Sequence, residues 1–352
     1  MNRNDGKTLK SAAIGLGTLL FMMQTPAAFS QTKLTLGTSM PPVISLATML
    51  TDHLKPKLEQ ASNGKVRLDI HLRGALCNEG TCMDQVRLGQ IDMGTISTAN
   101  YGGYGTTFEI TTLPYLFKDQ QNAEKVFNSF LVAALKAEAA KKEGIKVLAV
   151  VPVLGFRNLQ YAGDVIRKPE DIGKRKFRVT TSPLDGGLLN AWGATAVPIA
   201  WGQTYDALQT NVVRGVYVQT PMYLAMKFNE VAPNITQTEG AFTPMLIFMD
   251  QKRFDRLPAD VRAAIDKAAA EVQADSFKID DAGTRQWEEK LKASNAKVYK
   301  PTAEEMKLWR KAAAKSWLAG AGRYDKALAK KILQAQPGQE DLIAELTAIG
   351  AI

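Results

Sequence analysis

Residues 258–294 read PADVRAAIDKAAAEVQADSFKIDDAGTRQWEEKLKAS, and this stretch decides the fold. After Pro258 it contains no proline, and its composition is helical throughout. Gly283 is its weakest point, because glycine inside a helix costs about 1 kcal/mol relative to alanine. A continuous helix over this stretch would be about 50 Å long. A single lobe is narrower than this, so we predict that the helix crosses between two lobes.

Strands and helices alternate in two sets before this helix, which is typical of an α/β fold with parallel strands. The long helix and the two sets together predict an α/β clamshell of two lobes. The predicted strands are 33–37, 66–72, 91–96, 146–153, 176–180, 195–199, 213–219, 234–239 and 244–249, and the other predicted helices are 43–58, 83–89, 120–143, 184–192, 203–209, 222–228, 303–318 and 323–348.

Length and charge exclude several classes of protein. The 352 residues suffice for two domains of the usual size. The net charge is +9, from 44 basic and 35 acidic residues, but no five basic residues are consecutive, whereas a nucleic-acid or membrane-surface binder concentrates them in a patch. The 2 histidines exclude a multi-histidine metal site and argue against histidine-based catalysis. Because Gly-x-Ser-x-Gly and phosphate-loop motifs are also missing, we predict a non-enzymatic protein without a cofactor.

The first 30 residues are predicted to be a secretory signal peptide. Basic residues at 3, 7 and 10 precede an apolar run over 12–23, and small residues before Gln31 predict cleavage after Ser30. The apolar run is shorter than the roughly 20 residues that span a bilayer, which disfavours the alternative of an uncleaved membrane anchor. The sequence therefore predicts export to the periplasm.

Predicted export bears on the state of the two cysteines, because exported proteins fold in an oxidising compartment. Cys77 and Cys82 are separated by Asn-Glu-Gly-Thr, which can turn tightly enough to bring their Cα atoms together. In an oxidising compartment we expect a disulfide that rigidifies a loop; the alternative is two unrelated thiols.

Several segments, in order along the chain, resemble the solute-binding proteins of the tripartite ATP-independent periplasmic (TRAP) transporters, the DctP family. The match covers the whole predicted mature chain, although Gly173 lies one position earlier than the glycine of the corresponding family motif. The segments are GQIDMG (89–94), LPYLF (113–117), GFR (155–157), DIGKRKFRV (171–179), YDALQTN (205–211) and VRG (213–215).

The resemblance implies the periplasmic-binding-protein clamshell, with two α/β lobes that close on a ligand. It implies lobe I over 31–155, lobe II over 156–242, and a return to lobe I with the first part of the spanning helix over 243–285. Residues 286–352 would hold the end of that helix and C-terminal helices packed mainly on lobe II.

The resemblance also assigns binding residues. On pattern alone Arg178 would lie on the surface, but in the family the arginine at this position pairs with the ligand carboxylate. Arg157, directly after an apolar strand, is the expected second donor, and a salt bridge that crosses between the lobes is the alternative. Trp201 stands where the family places an aromatic ring beside the ligand, although it could equally be a core residue.

Tyr217 and Val218, in the predicted strand over 213–219, are further candidate ligand-binding residues. Val218, after Tyr217, replaces an asparagine that hydrogen-bonds polar ligands in some members of the family, so we expect a carboxylate with a less polar tail, aromatic or branched. Five lobe I residues at the ends of the first and third strands are expected to hydrogen-bond the second end of the ligand, and turn formation is their alternative role. These are Ser39, Met40, Ser97, Thr98 and Asn100.

The resemblance therefore implies a carrier that captures a small organic acid and delivers it to the membrane permease subunits of a TRAP transporter. A ligand-sensing module of a periplasmic signalling system is the alternative, because the same binding module would serve either role.

Overall fold

The computed structural model describes residues 31–352, so the predicted signal peptide lies outside the described residues. The described residues form one compact unit that contains two sheets. In chain order the strands are β1 (Thr32–Gly37), β2 (Val66–His71), β3 (Met93–Ser97), β4 (Ile145–Val151), β5 (Arg157–Tyr161), β6 (Lys176–Val179), β7 (Thr195–Pro198), β8 (Gly215–Gln219), β9 (Asn234–Thr236), β10 (Met245–Asp250) and β11 (Lys297–Tyr299).

Each sheet defines one lobe. The sheet of lobe I has the order β2-β1-β3-β10-β4, and that of lobe II has the order β11-β9-β5-β8-β6-β7. Both are mixed: β10 runs antiparallel to β3 and β4, and β5 runs antiparallel to β8 and β9. The prediction of parallel strands is therefore wrong for β10, and β5 was not predicted as a strand. The reason for the antiparallel pairing is that β5 and β10 each follow a crossing between lobes, without the helix that returns a chain to pair in parallel.

The helices cover both sheets. Two pairs are joined by π-helical turns, at Met49–Leu54 and Phe127–Leu131. The α-helices are Ser45–Thr48, Lys55–Ala61, Cys82–Arg87, Thr98–Tyr101, Gln120–Val126, Val132–Glu143, Pro183–Ala191, Thr204–Gln209, Thr220–Ala225, Gln251–Asp255, Ala259–Lys292, Ala303–Ala319, Lys326–Gln334 and Glu340–Ala348.

The long helix Ala259–Lys292 confirms the prediction of a helix that crosses between the two lobes. It has 34 residues and contacts β4 and the first helices of lobe I as well as the helix Thr220–Ala225 of lobe II. Packing against the first helix explains why this helix contains glycine at 283, a residue unfavourable inside a helix. A Cβ there would lie 3.3 Å from the Cβ of Ser45, so glycine lets the first helix approach closely.

Two crossing segments, residues 152–156 and 237–244, also join the lobes and pair with each other. The Arg157 amide donates to the Ala241 carbonyl at 2.9 Å, and the Gly240 amide donates to the Arg157 carbonyl at 3.1 Å. Leu154 has a left-handed φ of 62°. Its amide donates to Asp280 of the long helix at 2.7 Å, and burial raises the pKa of that carboxyl to about 6. The long helix therefore braces the crossing.

The C-terminal helices differ from the sequence interpretation. The single helix expected over 323–348 is two helices, because Pro337 and Gly338 interrupt it. The last two helices pack on lobe I rather than mainly on lobe II: the side chain of Gln336 donates to the Leu116 carbonyl at 2.8 Å, and that of Gln339 donates to the Tyr115 carbonyl at 3.0 Å. The helix Ala303–Ala319 packs on Pro183–Ala191 of lobe II.

Candidate functional site

Residues of both lobes meet around a small cavity of about 40 Å³. Glu79, Arg178 and Trp201 also line a wider cleft of about 610 Å³, so the cavity and the cleft share a wall. The cavity is lined by Met40, Glu79, Ser97 and Met245 from lobe I, by Val153 and Thr243 from the crossing segments, and by Arg157, Arg178, Trp201, Val218, Gln219 and Met222 from lobe II.

Arg178 is buried in this wall, near the end of β6, rather than at the surface that its sequence pattern alone predicted. Its Nε donates to the Ile199 carbonyl at 2.9 Å, and its guanidinium carbon lies 5.3 Å from the ring centroid of Trp201. Burial, followed by the charge of Arg157, lowers the pKa of Arg178 to about 10, so it stays positive at neutral pH. A buried cation without an ion-pair partner among the described residues suits an anionic ligand.

Arg157 differs because its charge is already compensated. Its Nη1 forms an ion pair with Asp185, which is buried as well, and the Thr180 hydroxyl donates to the same carboxylate oxygen at 2.6 Å. Asp185 lies in the first turn of the helix Pro183–Ala191, where a negative charge is favourable. Both partners belong to lobe II, so the sequence alternative of a bridge that crosses between the lobes is wrong.

Three residues of the cavity lining also carry buried donors without a hydrogen-bond partner. Trp201 opens a short turn after β7 and packs edge-on against Phe228 at 5.5 Å, but its Nε1 has no hydrogen-bond partner. The same holds for Nε of Arg157 and the hydroxyl of Thr243. An unsatisfied buried polar group costs about 1–3 kcal/mol, so these donors favour a ligand that can accept from them.

The disulfide between Cys77 and Cys82 is present, with Cα atoms 4.9 Å apart, which confirms that prediction. It closes a loop that places Glu79 in the cavity wall. The Glu79 carboxylate accepts from the Ser97 amide at 2.8 Å, from the Ser97 hydroxyl at 3.3 Å and from the Asn100 side-chain amide. Sequence reasoning missed Glu79: a charged residue inside a disulfide-closed turn was visible in the sequence, but the place where this loop docks was not.

The lobe I candidates separate into two groups. Met40 and Ser97 line the cavity, and Asn100 lines the wider cleft, where its side-chain oxygen accepts from the Thr181 amide at 3.3 Å and the Thr181 hydroxyl at 3.1 Å. Ser39 and Thr98 lie outside both linings; Thr98 is fully buried and shares a hydrogen bond of 3.0 Å with Thr111.

Tyr217 also lies outside the linings. It occupies the face of β8 opposite Val218, because successive strand residues point to opposite faces. There it packs against Trp192, with ring centroids 5.6 Å apart. Val218 instead joins an apolar wall formed with Met40, Val153, Met222 and Met245.

Two further findings concern residues 31–352. None of their helices combines the length and apolar character needed to cross a membrane. They also contain no cluster of three or more histidine, cysteine or acidic side chains suited to a metal ion.

Comparison with known proteins identifies the family. A model of bacterial extracellular solute-binding protein family 7, DctP, matches residues 40–322. The C4-dicarboxylate-binding periplasmic protein of Rhodobacter capsulatus is 30% identical over 60% of this chain and 63% of its own length. The 2,3-diketo-L-gulonate-binding periplasmic protein of Escherichia coli is 26% identical over 61% of this chain and 65% of its own length. This chain thus spans slightly less than two thirds of these curated relatives.

Solved structures of TRAP periplasmic solute-binding proteins are similar to this chain. A TRAP periplasmic solute-binding protein of Citrobacter koseri with bound D-glucuronate is 25% identical, with a TM-score of 0.81 over 87% of this chain and 100% of that one. A TRAP periplasmic solute-binding protein of Sulfurospirillum deleyianum with bound succinate is 23% identical, with a TM-score of 0.80 over 87% of this chain and 100% of that one, and it supports the fold alone.

Proposed function

We propose that this chain, which belongs to family 7 of the bacterial extracellular solute-binding proteins, captures a small organic acid between its two lobes and delivers it to a TRAP-type membrane transporter. The single observation that carries this proposal is Arg178, a buried cation without an ion-pair partner among the described residues, in a cavity to which both lobes contribute. The protein would act in the periplasm after cleavage behind Ser30, and no turnover is expected.

Arg178 would bind the ligand carboxylate through its two terminal nitrogens. Its Nε bond to Ile199 and the ring of Trp201 hold the guanidinium plane in place. A planar guanidinium donates two parallel hydrogen bonds to a carboxylate, and each charge-assisted bond contributes roughly 1.5–3 kcal/mol. Arg157 would assist through its unpartnered Nε, and Trp201 would form the side wall.

Capture would proceed by closure of the lobes. A ligand that contacts both lobes stabilises the closed form and shifts the population toward it. The lining supports this mechanism because the arginines come from lobe II, whereas Met40, Glu79 and Ser97 come from lobe I. The permease would then recognise the closed surface.

The apolar wall supports a ligand with a weakly polar tail. Val218 and its neighbours offer no hydrogen bond, so a polar ligand atom against them would lose about 1–3 kcal/mol. An aromatic or branched carboxylate fits this wall. Native mass spectrometry of protein purified without unfolding would identify a retained ligand, and retention of a sugar acid in preference to such compounds would contradict this part of the proposal.

The test is calorimetry and thermal shift with a panel of aliphatic and aromatic carboxylates, on the wild type and on Arg178→Ala. The correct acid raises stability by RT ln(1 + [L]/Kd), and we expect Arg178→Ala to weaken binding by about 100-fold or more. Lys176→Ala is the matched control, because Lys176 is an exposed cation on the same strand. Undiminished binding by Arg178→Ala would overturn the assignment.

A further inference from the structure

Glu79 is the only acidic residue that lines the cavity among residues 31–352, and it stands on the opposite lobe from Arg178. Both residues also line the wider cleft. Opposite charges from opposite lobes therefore border the same space.

The two charges do not meet. They form no ion pair within 4.0 Å. Burial and Arg157 lower the pKa of Arg178, and Glu79 opposes this by raising it, so the carboxylate acts on the guanidinium through the space between them. That space, between a fixed cation and a fixed anion, is where a ligand would lie.

The charges of the site already balance. Arg157 and Arg178 are positive, and Glu79 and Asp185 are negative. A ligand with one carboxylate and one ammonium group leaves the balance unchanged. A dicarboxylate adds two negative charges, and when the first binds Arg178 the second is turned toward Glu79. Like charges in a partly desolvated site repel strongly, which is a common way to reject a wrong ligand.

The Glu79 carboxylate is held in place but not saturated. The disulfide closes its loop, and it accepts three hydrogen bonds, two from Ser97 and one from Asn100. A carboxylate has about four lone-pair positions, so one acceptor position remains.

We propose that Glu79 determines specificity by accepting a hydrogen bond from a hydroxyl or ammonium group at the second end of a monocarboxylate ligand, and by excluding dicarboxylates. This rests on the proposed function, because it takes the first carboxylate to bind Arg178. The ligand class is therefore a hydroxy or amino monocarboxylate whose middle part contacts the apolar wall around Val218.

The experiment uses two series of acids that differ only at the second end. The linear series is δ-hydroxypentanoate, δ-aminopentanoate, glutarate and pentanoate. The aromatic series is para-(hydroxymethyl)benzoate, para-(aminomethyl)benzoate, terephthalate and para-toluate. Affinities are measured by calorimetry for the wild type, Glu79→Gln, Arg178→Ala and Asp52→Asn. The last is a control that removes an exposed carboxylate from the same lobe without touching the cleft.

In the better-binding series, we expect the wild type to prefer the hydroxyl- or amino-terminated acid over the dicarboxylate by about tenfold or more, and Glu79→Gln to remove that preference. Asp52→Asn should retain it. If Glu79→Gln loses affinity only for the amino-terminated acid, the group that donates to Glu79 is an ammonium. If it loses affinity for the hydroxyl-terminated acid, the donor is a hydroxyl.

A wild-type preference for the dicarboxylate, or an unchanged preference in Glu79→Gln, would overturn the role of Glu79 while binding still depends on Arg178. Binding that survives in Arg178→Ala, or the absence of binding by all eight acids, would instead contradict the proposed function.

Discussion

The two walls of the cleft are built on different principles. The lobe II wall holds buried charges: Arg178 lacks an ion-pair partner within the described residues, and Arg157 is neutralised by Asp185. The lobe I wall is a half-exposed loop, in which a disulfide and hydrogen bonds to Ser97 and Asn100 hold Glu79. The lobe II wall therefore contains a buried positive charge without a counter-ion among the described residues, whereas the carboxylate of the lobe I wall already accepts three hydrogen bonds.

This difference separates affinity from selectivity. A wall with an uncompensated cation attracts any carboxylate, so it sets how tightly acids bind. The lobe I wall holds one fixed carboxylate, Glu79, so it discriminates between ligands by the chemical group at the end that does not bind Arg178. Variants of the first wall should therefore change stability and affinity, and variants of the second should change the ranking of ligands.

The largest effect is expected for Asp185→Asn, which removes the counter-ion of Arg157 in the lobe II wall. Removal of one partner of a buried ion pair leaves an unpaired charge and costs about 3–5 kcal/mol of unfolding free energy. Because an anionic ligand can then neutralise both arginines, the increase in unfolding free energy caused by a bound acid should exceed that of the wild type. Denaturant unfolding with and without ligand measures both quantities.

Asp281→Asn is the matched control for Asp185→Asn. It breaks an exposed arginine–aspartate pair with Arg285 on the long helix, and exposed pairs contribute only about 0.2–1 kcal/mol. Equal losses in the two variants would show that the lobe II wall does not depend on buried charge.

The fold was largely predictable because its main signals are local. The stretch over 258–294, which has no proline after Pro258, predicted the long helix to within two residues at each end. Strand β5, RNLQY, was missed because its polar letters do not predict burial. All five of its residues are buried, and long-range contacts satisfy only part of their polar groups: the side-chain amide of Gln160 donates to the Val218 carbonyl at 2.9 Å, whereas its Oε1 has no partner.

The two walls also differed in how far sequence could predict them. Arg178 could be placed only through a family resemblance, since alternation along β6 predicts no burial by itself. Glu79 was missed because its position depends on a long-range contact with the Ser97 amide. No local pattern encodes where a loop docks, and this also explains why Ser39 and Thr98 could not be separated from Ser97.

The next effect in size concerns the disulfide of the lobe I wall. Replacement of both cysteines by alanine should lower the unfolding free energy by about 2 kcal/mol, as expected for a short closed loop. It should also reduce the preference for hydroxyl- or amino-terminated acids over dicarboxylates, because Glu79 is no longer held. Calorimetry with the two acid series measures the preference, and reduction of the wild type by a thiol reagent should reproduce both effects. A reduced protein with unchanged selectivity would show that Ser97 and Asn100 suffice to position Glu79.

The smallest effect is expected where the two walls touch. Asn100 donates to Glu79 and accepts from the amide and the hydroxyl of Thr181, so it links lobe I to lobe II at the cleft. We expect this link to form only when the lobes close, so Asn100→Ala should destabilise the closed form, and a net loss of about 1 kcal/mol lowers affinity roughly fivefold. Stopped-flow measurements should show the loss as faster ligand release, because the link is expected to form only after closure.

Thr181→Val tests the same contact in a graded way, since it removes the hydroxyl but keeps the amide that Asn100 also accepts from. We expect a smaller loss of affinity than for Asn100→Ala and the same ranking of acids as in the wild type. A change of ranking in Thr181→Val would mean that selectivity is not confined to the lobe I wall. Unchanged release rates in both variants would mean that the contact forms equally in the open protein, and the walls would then be coupled before the ligand arrives.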